Sequence, residues 1–128
     1  MERISKTDLA TGRGLLKKAF VDLRKQGFLA KQNFMCCGNC ACTALGNQIK
    51  EEPGKYIGAA YYHSQDNDRL KEYGETCIGF APVDNDAPDW ASLLVGHAVK
   101  NTMLRYGLLV EWEGTSNKKL TVKLPRAV

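Results

Sequence analysis

Apolar residues recur at helical spacing early in the chain. Leu15, Leu16, Ala19, Phe20 and Leu23 recur at spacings of one, three and four, and Arg13, Lys17, Lys18, Asp22, Arg24 and Lys25 fall largely off that stripe. The pattern predicts an amphipathic helix. Thr11 suits its N-cap, with Ser5 or Thr7 as earlier starts, and Gly12 and Gly14 weaken its front half. Gly27 follows the last periodic residue and suits a left-handed stop. Residues 28–34 read as a short strand or an extended arm. Residues 41–50 read as a second helix, closed by the turn Pro53-Gly54. Residues 56–63, small and aromatic, make the clearest strand.

Residues 64–74 are polar, with one helical turn around 68–73. Residues 75–82 read as a strand antiparallel to 56–63, because the connection is too short for a long crossover. In the loop 84–89, Asp86 suits a helix cap and Pro88 a first turn. Trp90, Leu93, Leu94, His97, Ala98 and Leu104 predict the apolar face of a long helix that ends near Tyr106 and stops at Gly107. Residues 108–112 and 119–124 read as two strands joined through Gly114-Thr115-Ser116-Asn117. Leu120, Val122 and Leu124 alternate with Thr121 and Lys123, so one face of the last strand is buried. The composite is an α+β fold: an antiparallel sheet of about four strands with two to three helices, packed mainly on one face. Its 128 residues fit a single domain, 1–128.

Composition adds boundaries. Hydrophobic residues make up 44% and charged residues 25%, as in soluble globular proteins. No run approaches the ~20 apolar residues of a membrane span, and the N-terminus lacks an apolar signal core. The expected location is cytoplasmic, where thiols stay reduced. Five cysteines is an odd number, which excludes a complete internal disulfide framework. Residues 1–31 hold eight Lys/Arg against three Asp/Glu, and the remainder holds ten against eleven. The basic character therefore lies in the first helix, as a solvated face or as a surface for an acidic partner such as nucleic acid.

Chemistry concentrates at Phe34-Met35-Cys36-Cys37-Gly38-Asn39-Cys40-Ala41-Cys42, where four of the five cysteines fall within seven residues. Three readings are open. Cys37-Gly38-Asn39-Cys40 has the spacing with which two thiolates grip zinc, and Cys36, Cys42, Cys77, His63 and Asp66 are the residues that can complete four ligands. The same step at a helix start suits redox chemistry, with Cys37 as attacking thiolate and Cys40 as resolving thiol. Against this, the strands that follow look antiparallel, so a βαβ context is missing. The third reading is packing, since free cysteine behaves as a small hydrophobe; Cys42 and Cys77 sit in apolar settings. His63 and Asp66 leave a strand end, where they serve as acid and base, as ligands, or as a hydrogen-bonded loop start. Cys37 or Cys40 with His63, oriented by Asp66 or Asn33, would make a nucleophile pair. His97 reads as a partly buried helix histidine. Asp84, Asp86 and Asp89 lack an ordered calcium-loop pattern, and Gly12-Arg13-Gly14 lacks the strand of a phosphate loop.

Gly27 to Cys40 reads G-F-L-A-K-Q-N-F-x-C-C-x-x-C. It is followed by Tyr61-Tyr62-His63-x-Gln65-Asp66, and then by G-L-x-V-E-W-x-G from Gly107. Together these resemble a group of bacterial proteins known only as a domain of unknown function. The resemblance runs from Phe20 to Leu124, and its most specific part is Cys36-Cys37-x-x-Cys40 with His63-x-Gln65-Asp66. It departs after Cys40, where Ala41, Cys42 and Thr43 replace an expected glycine and nearby acidic residue. The resemblance implies that the cluster and the 63–66 segment belong to one site, and it brings no activity with it. The resulting expectation is a small cytosolic binding or regulatory protein whose partner is a protein or small molecule. Cys36, Cys37, Cys40, His63 and Asp66 would hold zinc. The alternatives are a thiol-dependent enzyme or redox protein using Cys37, and nucleic-acid binding through the first helix.

Overall fold

A computed structural model describes residues 2–84 and 86–127; Met1, Val128 and Asn85, the last within the expected 84–89 loop, lie outside the described residues. The chain runs through α1 (Lys6–Gln26), β1 (Phe28–Lys31), α2 (Gly38–Glu51), β2 (Gly58–Tyr61) and α3 (Ser64–Tyr73). It continues through β3 (Glu75–Ala81), α4 (Asp89–Arg105), β4 (Leu109–Glu111) and β5 (Leu120–Lys123). The five strands lie in the order β1-β2-β3-β5-β4. β1 and β2 are parallel, and every other neighbouring pair is antiparallel. The α+β class holds, but the sheet is mixed and five-stranded, with four helices. The difference arises at β1. Its pairing with β2 is parallel because α2 carries the chain back along the sheet between them, as a parallel neighbour requires. The βαβ unit that the antiparallel reading leaves out is therefore present.

α1 starts at the earlier of its possible caps. Ser5 Oγ accepts the Asp8 N–H at 3.1 Å, and Gly27 closes the helix with φ 107°. Its stripe of Leu16, Ala19, Phe20 and Leu23 is fully buried, as the spacing predicts. These residues pack with Val95, Val99 and Met103 of α4 and Leu70 of α3 on one face of the sheet, over Ala30, Ala60, Ile78, Leu120 and Val122. Each of the larger side chains among them, Leu, Ile, Val, Met or Phe, stabilises the fold by roughly 1.5–3 kcal/mol. α2 alone covers the other face, where Ala41 and Leu45 rest on Leu29, Ala59 and Tyr61.

Two helices depart from expectation. α3 is ten residues long where only a turn was expected. Its sequence is so polar that only Asn67 and Leu70 are buried, too few for a visible stripe. α4 buries Val95, Gly96, Val99, Thr102 and Met103, whereas Trp90, Leu94, His97 and Leu104 are exposed. Apolar residues on several sides of α4 hide its register. Gly96 decides it, since a Cβ there would lie 2.7 Å from the Trp112 ring. Thr102 tolerates burial because its hydroxyl donates to the Ala98 carbonyl at 2.8 Å. His97 instead meets the Trp112 ring edge-on from the surface. Pro88, not Asp86, precedes the first turn of α4, and the Asp86 N–H donates within the loop to Asp84 Oδ1. Among the described residues no helix is long and apolar enough to cross a membrane.

Asp22 ties α1 to α4. It accepts from Gln26 at 2.9 Å, from the Tyr106 hydroxyl at 2.8 Å and from Arg105 at 2.9 Å. These donors, Gln26 foremost, hold its carboxyl below the ordinary 3.8. A depressed carboxyl stabilises the fold above its unfolded pKa and loses that contribution as pH falls through the folded value. Asp22→Ala is therefore expected to lower Tm near neutral pH, with the gap to the parent closing in acid. Thermal melts at the two pH values check this; a gap that persists undiminished in acid would contradict it.

Candidate metal centre

β1 and β2 run the same way, so both end at one edge of the sheet, and α2 and α3 both begin there. The strand pairing continues past the strands themselves. The Tyr62 N–H donates to the Lys31 carbonyl at 3.3 Å, Phe34 N–H to Tyr62 at 2.9 Å, and Ser64 N–H to Met35 at 2.9 Å. Residues 31–35 are thereby zipped to 62–64. Within that loop Asn33 (φ 47°) and Met35 (φ 65°) adopt left-handed backbone. Asparagine tolerates this; for methionine it costs roughly 1–2 kcal/mol. The turn folds Cys36 back over the start of α2.

Cys37 is the N-cap of α2, and Cys40 lies one turn in. The sulfurs of Cys36, Cys37 and Cys40 all lie within 4.8 Å of one another. Cys36 Sγ is 3.9 Å from Cys37 Sγ and 3.6 Å from Cys40 Sγ. Cys36 is exposed and the other two are half-buried. The free N–H groups of a helix start favour negative charge. Accordingly the Cys40 N–H first, then the neighbouring thiols of Cys40 and Cys36, hold Cys37 below the ordinary thiol value of 9.0. Cys40 is pushed up to about 11 by its thiol contacts with Cys36 and Cys37 and by their negative charge.

His63 is the N-cap of α3 and is only 7% exposed. Its Nε2 is 3.2 Å from Asp66 Oδ2, which also receives the His63 backbone N–H at 3.4 Å. Its ring packs against the start of α2: a Cβ on Gly38 would sit 4.0 Å from His63 Cδ2. Nδ1 is buried without a hydrogen bond of good geometry; the His63 side chain also faces the Asp66 N–H in the capping box of α3. The expected residues thus gather at one edge in two groups. Three thiols form a cluster, and His63 pairs with Asp66 beside it. Among the described residues, the three cysteines are the group of His, Cys, Asp and Glu side chains that meets at ligating distance, and His63 and Asp66 stand outside it. Cys42 does not pack inside as expected. It is exposed on α2, with its sulfur 3.3 Å from the Tyr61 hydroxyl, and Cys77 is half-buried on β3. The contribution of Met35, whose backbone turns the loop and holds Ser64, carries no sequence signal, since nothing marks a methionine for left-handed backbone.

A family model described as a domain of unknown function (DUF6891) matches residues 9–125. The chain belongs to this family. The match spans the cysteine cluster, the His63 to Asp66 segment and the sheet that joins them. No curated protein and no solved structure matches the chain. In metal-free, reduced protein, alkylation followed by peptide mapping is expected to label Cys37 with a midpoint below 9.0 and Cys40 only near 11. Equal labelling of the two across that range would contradict the assigned geometry.

Proposed function

We propose that this protein is a metal-binding domain of the binding or regulatory kind, in which Cys36, Cys37 and Cys40 hold a thiophilic ion, zinc foremost. The spacing of the sulfurs supports this reading. Thiolates at about 2.3 Å from a tetrahedral zinc stand roughly 3.8 Å apart. Two of the three separations, 3.9 and 3.6 Å, bracket that edge length. Three thiolates leave one position open. His63 is the protein donor we assign to it, with Asp66 behind. A carboxylate on one imidazole nitrogen orients the ring; here Asp66 takes Nε2, and Nδ1, which faces the capping-box N–H without a good hydrogen bond, would turn from it to the metal. Binding would release the thiol protons, so affinity rises with pH.

Untagged protein purified without chelators is expected to carry roughly one zinc ion per chain, as a single tetrahedral site demands. Cys37→Ser and Cys40→Ser should lose it, and Cys77→Ser should keep it. Asp66→Asn should weaken zinc roughly 10- to 100-fold. Protein that has five free thiols and takes up no added zinc would overturn the proposal.

A second reading rests on the lowered Cys37 thiol at the head of a βαβ crossover. There Cys37 thiolate would attack a substrate disulfide, and Cys40 would displace the departing thiol as a Cys37–Cys40 disulfide forms. Metal-free protein that equilibrates with a glutathione buffer through that one disulfide would favour it. The exposed Lys17, Lys18 and Lys25 of α1 keep nucleic acid as a third partner class, which a gel shift that fails at low salt would remove.

A further inference from the structure

α2 covers only the β1–β2 half of its face of the sheet. Along its flank runs a groove of about 290 Å³. Ala59, Tyr61, Gly79 and Ala81 form its floor, and Leu45 and Ile49 of α2 form one wall. The β4–β5 loop, at Ser116 to Lys119, forms the other.

The groove is built into the fold. Gly79 faces Tyr61 across the β2–β3 pair, and a Cβ there would lie 2.5 Å from the Tyr61 ring. The ring therefore lies flat and the floor stays low. The loop wall is held in place because Trp112 Nε1 donates to the Thr115 and Lys118 carbonyls, both at 3.1 Å, and Ser116 bonds Asp89 at the head of α4. Gly46 sits mid-helix in α2 and lines the groove, with no atom within 4 Å of where its Cβ would be. A helix-interior glycine costs about 1 kcal/mol relative to alanine, and no close packing requires this one. Its consequence is open space above the floor.

The charge around the groove has one sign. Its charged lining residues are Lys50, Lys118 and Lys119, and no carboxylate joins them. Lys118 pairs with Glu113 at 3.0 Å. Lys119 Nζ stands over the Tyr61 ring, 5.3 Å from its centre, and among the described residues neither Lys50 nor Lys119 makes an ion pair. The Tyr61 hydroxyl, 3.3 Å from the Cys42 sulfur, is a further polar group at the groove. An apolar trough with a few placed polar groups is the usual form of a small-molecule site.

We propose that this groove binds a small amphipathic anion, a medium-chain or aromatic carboxylate. Its apolar body lies along Ala59, Tyr61 and Ala81, and its carboxylate meets Lys119 and Lys50. The volume lies near the lower end of the ~300–1,000 Å³ of such sites, which favours a compact ligand over a peptide. The proposal stands apart from the metal reading, because none of the three clustered cysteines lines the groove.

The test is a titration of the full chain with sodium octanoate, followed by amide NMR shifts and repeated with 1-octanol. Saturable shifts at Gly46, Ala59 and Gly79 are expected with a dissociation constant below about 1 mM. Gly46→Leu fills the open space while raising helix propensity, so it should fold at least as well and bind octanoate at least about tenfold more weakly. Lys119→Glu should weaken octanoate and leave octanol unchanged. No saturation up to about 10 mM would overturn the proposal, as would undiminished binding by Gly46→Leu or octanol binding as tightly as octanoate. Ligand-free shifts of the same amides with protein concentration would name a second copy as the occupant and overturn it equally.

Discussion

The parallel pairing of β1 with β2 is the constraint on which the rest depends. Two strands joined by a tight turn must run antiparallel; a parallel pair needs a crossover, and α2 is that crossover. Because both strands end at the same edge, the helices that follow them also start there. A helix start presents unbonded N–H groups and a partial positive charge. The chain fills those two starts with side chains that carry chemistry. Cys37 stands at the N-cap position of α2, and His63 at that of α3. Neighbouring strands then bring together residues 26 positions apart in sequence, and the hydrogen bonds from Phe34 and Ser64 lock the alignment.

The docking of α2 links the two sites proposed here. Its buried contacts are few, chiefly Ala41 and Leu45 on Leu29, Ala59 and Tyr61. That small patch seats α2 on β1 and β2. It also leaves the flank of the helix standing over the bare half of β3. One helix therefore presents thiols at its N-terminus and an apolar wall along its length. The antiparallel strands β3, β5 and β4 contribute differently: their buried faces anchor α1 and α4, and their long loop supplies the lysines opposite α2.

What the sequence discloses follows from how local each signal is. The buried stripe of α1 and its stop at Gly27 are read directly, because spacing and a left-handed glycine are local facts. The alternation of Leu120 and Val122 with Thr121 marks the buried face of β5 in the same way. The direction of β1 is not local. Nothing in Phe28–Lys31 says whether its partner runs with it or against it, so the sheet reads as antiparallel until the crossover is seen. α3 is hidden because it buries only Asn67 and Leu70, and the buried face of α4 is hidden because apolar residues lie on several of its sides. For the site, the spacing from Cys37 to Cys40 reveals a helix-start thiol pair. The return of Cys36 toward them depends on the left-handed Met35, and the pairing of His63 with Asp66 depends on α3 forming. Neither is encoded in residue type.

The central proposal is that the three cysteines gathered at the parallel edge hold zinc, with His63 as the fourth ligand. X-ray absorption at the zinc edge of the zinc-loaded protein addresses it most directly. The account predicts three sulfurs at about 2.3 Å and one nitrogen at about 2.0–2.1 Å, with the nitrogen contribution replaced by water oxygen in His63→Ala. A shell with two or fewer sulfurs, or a six-coordinate oxygen-rich shell, would contradict it.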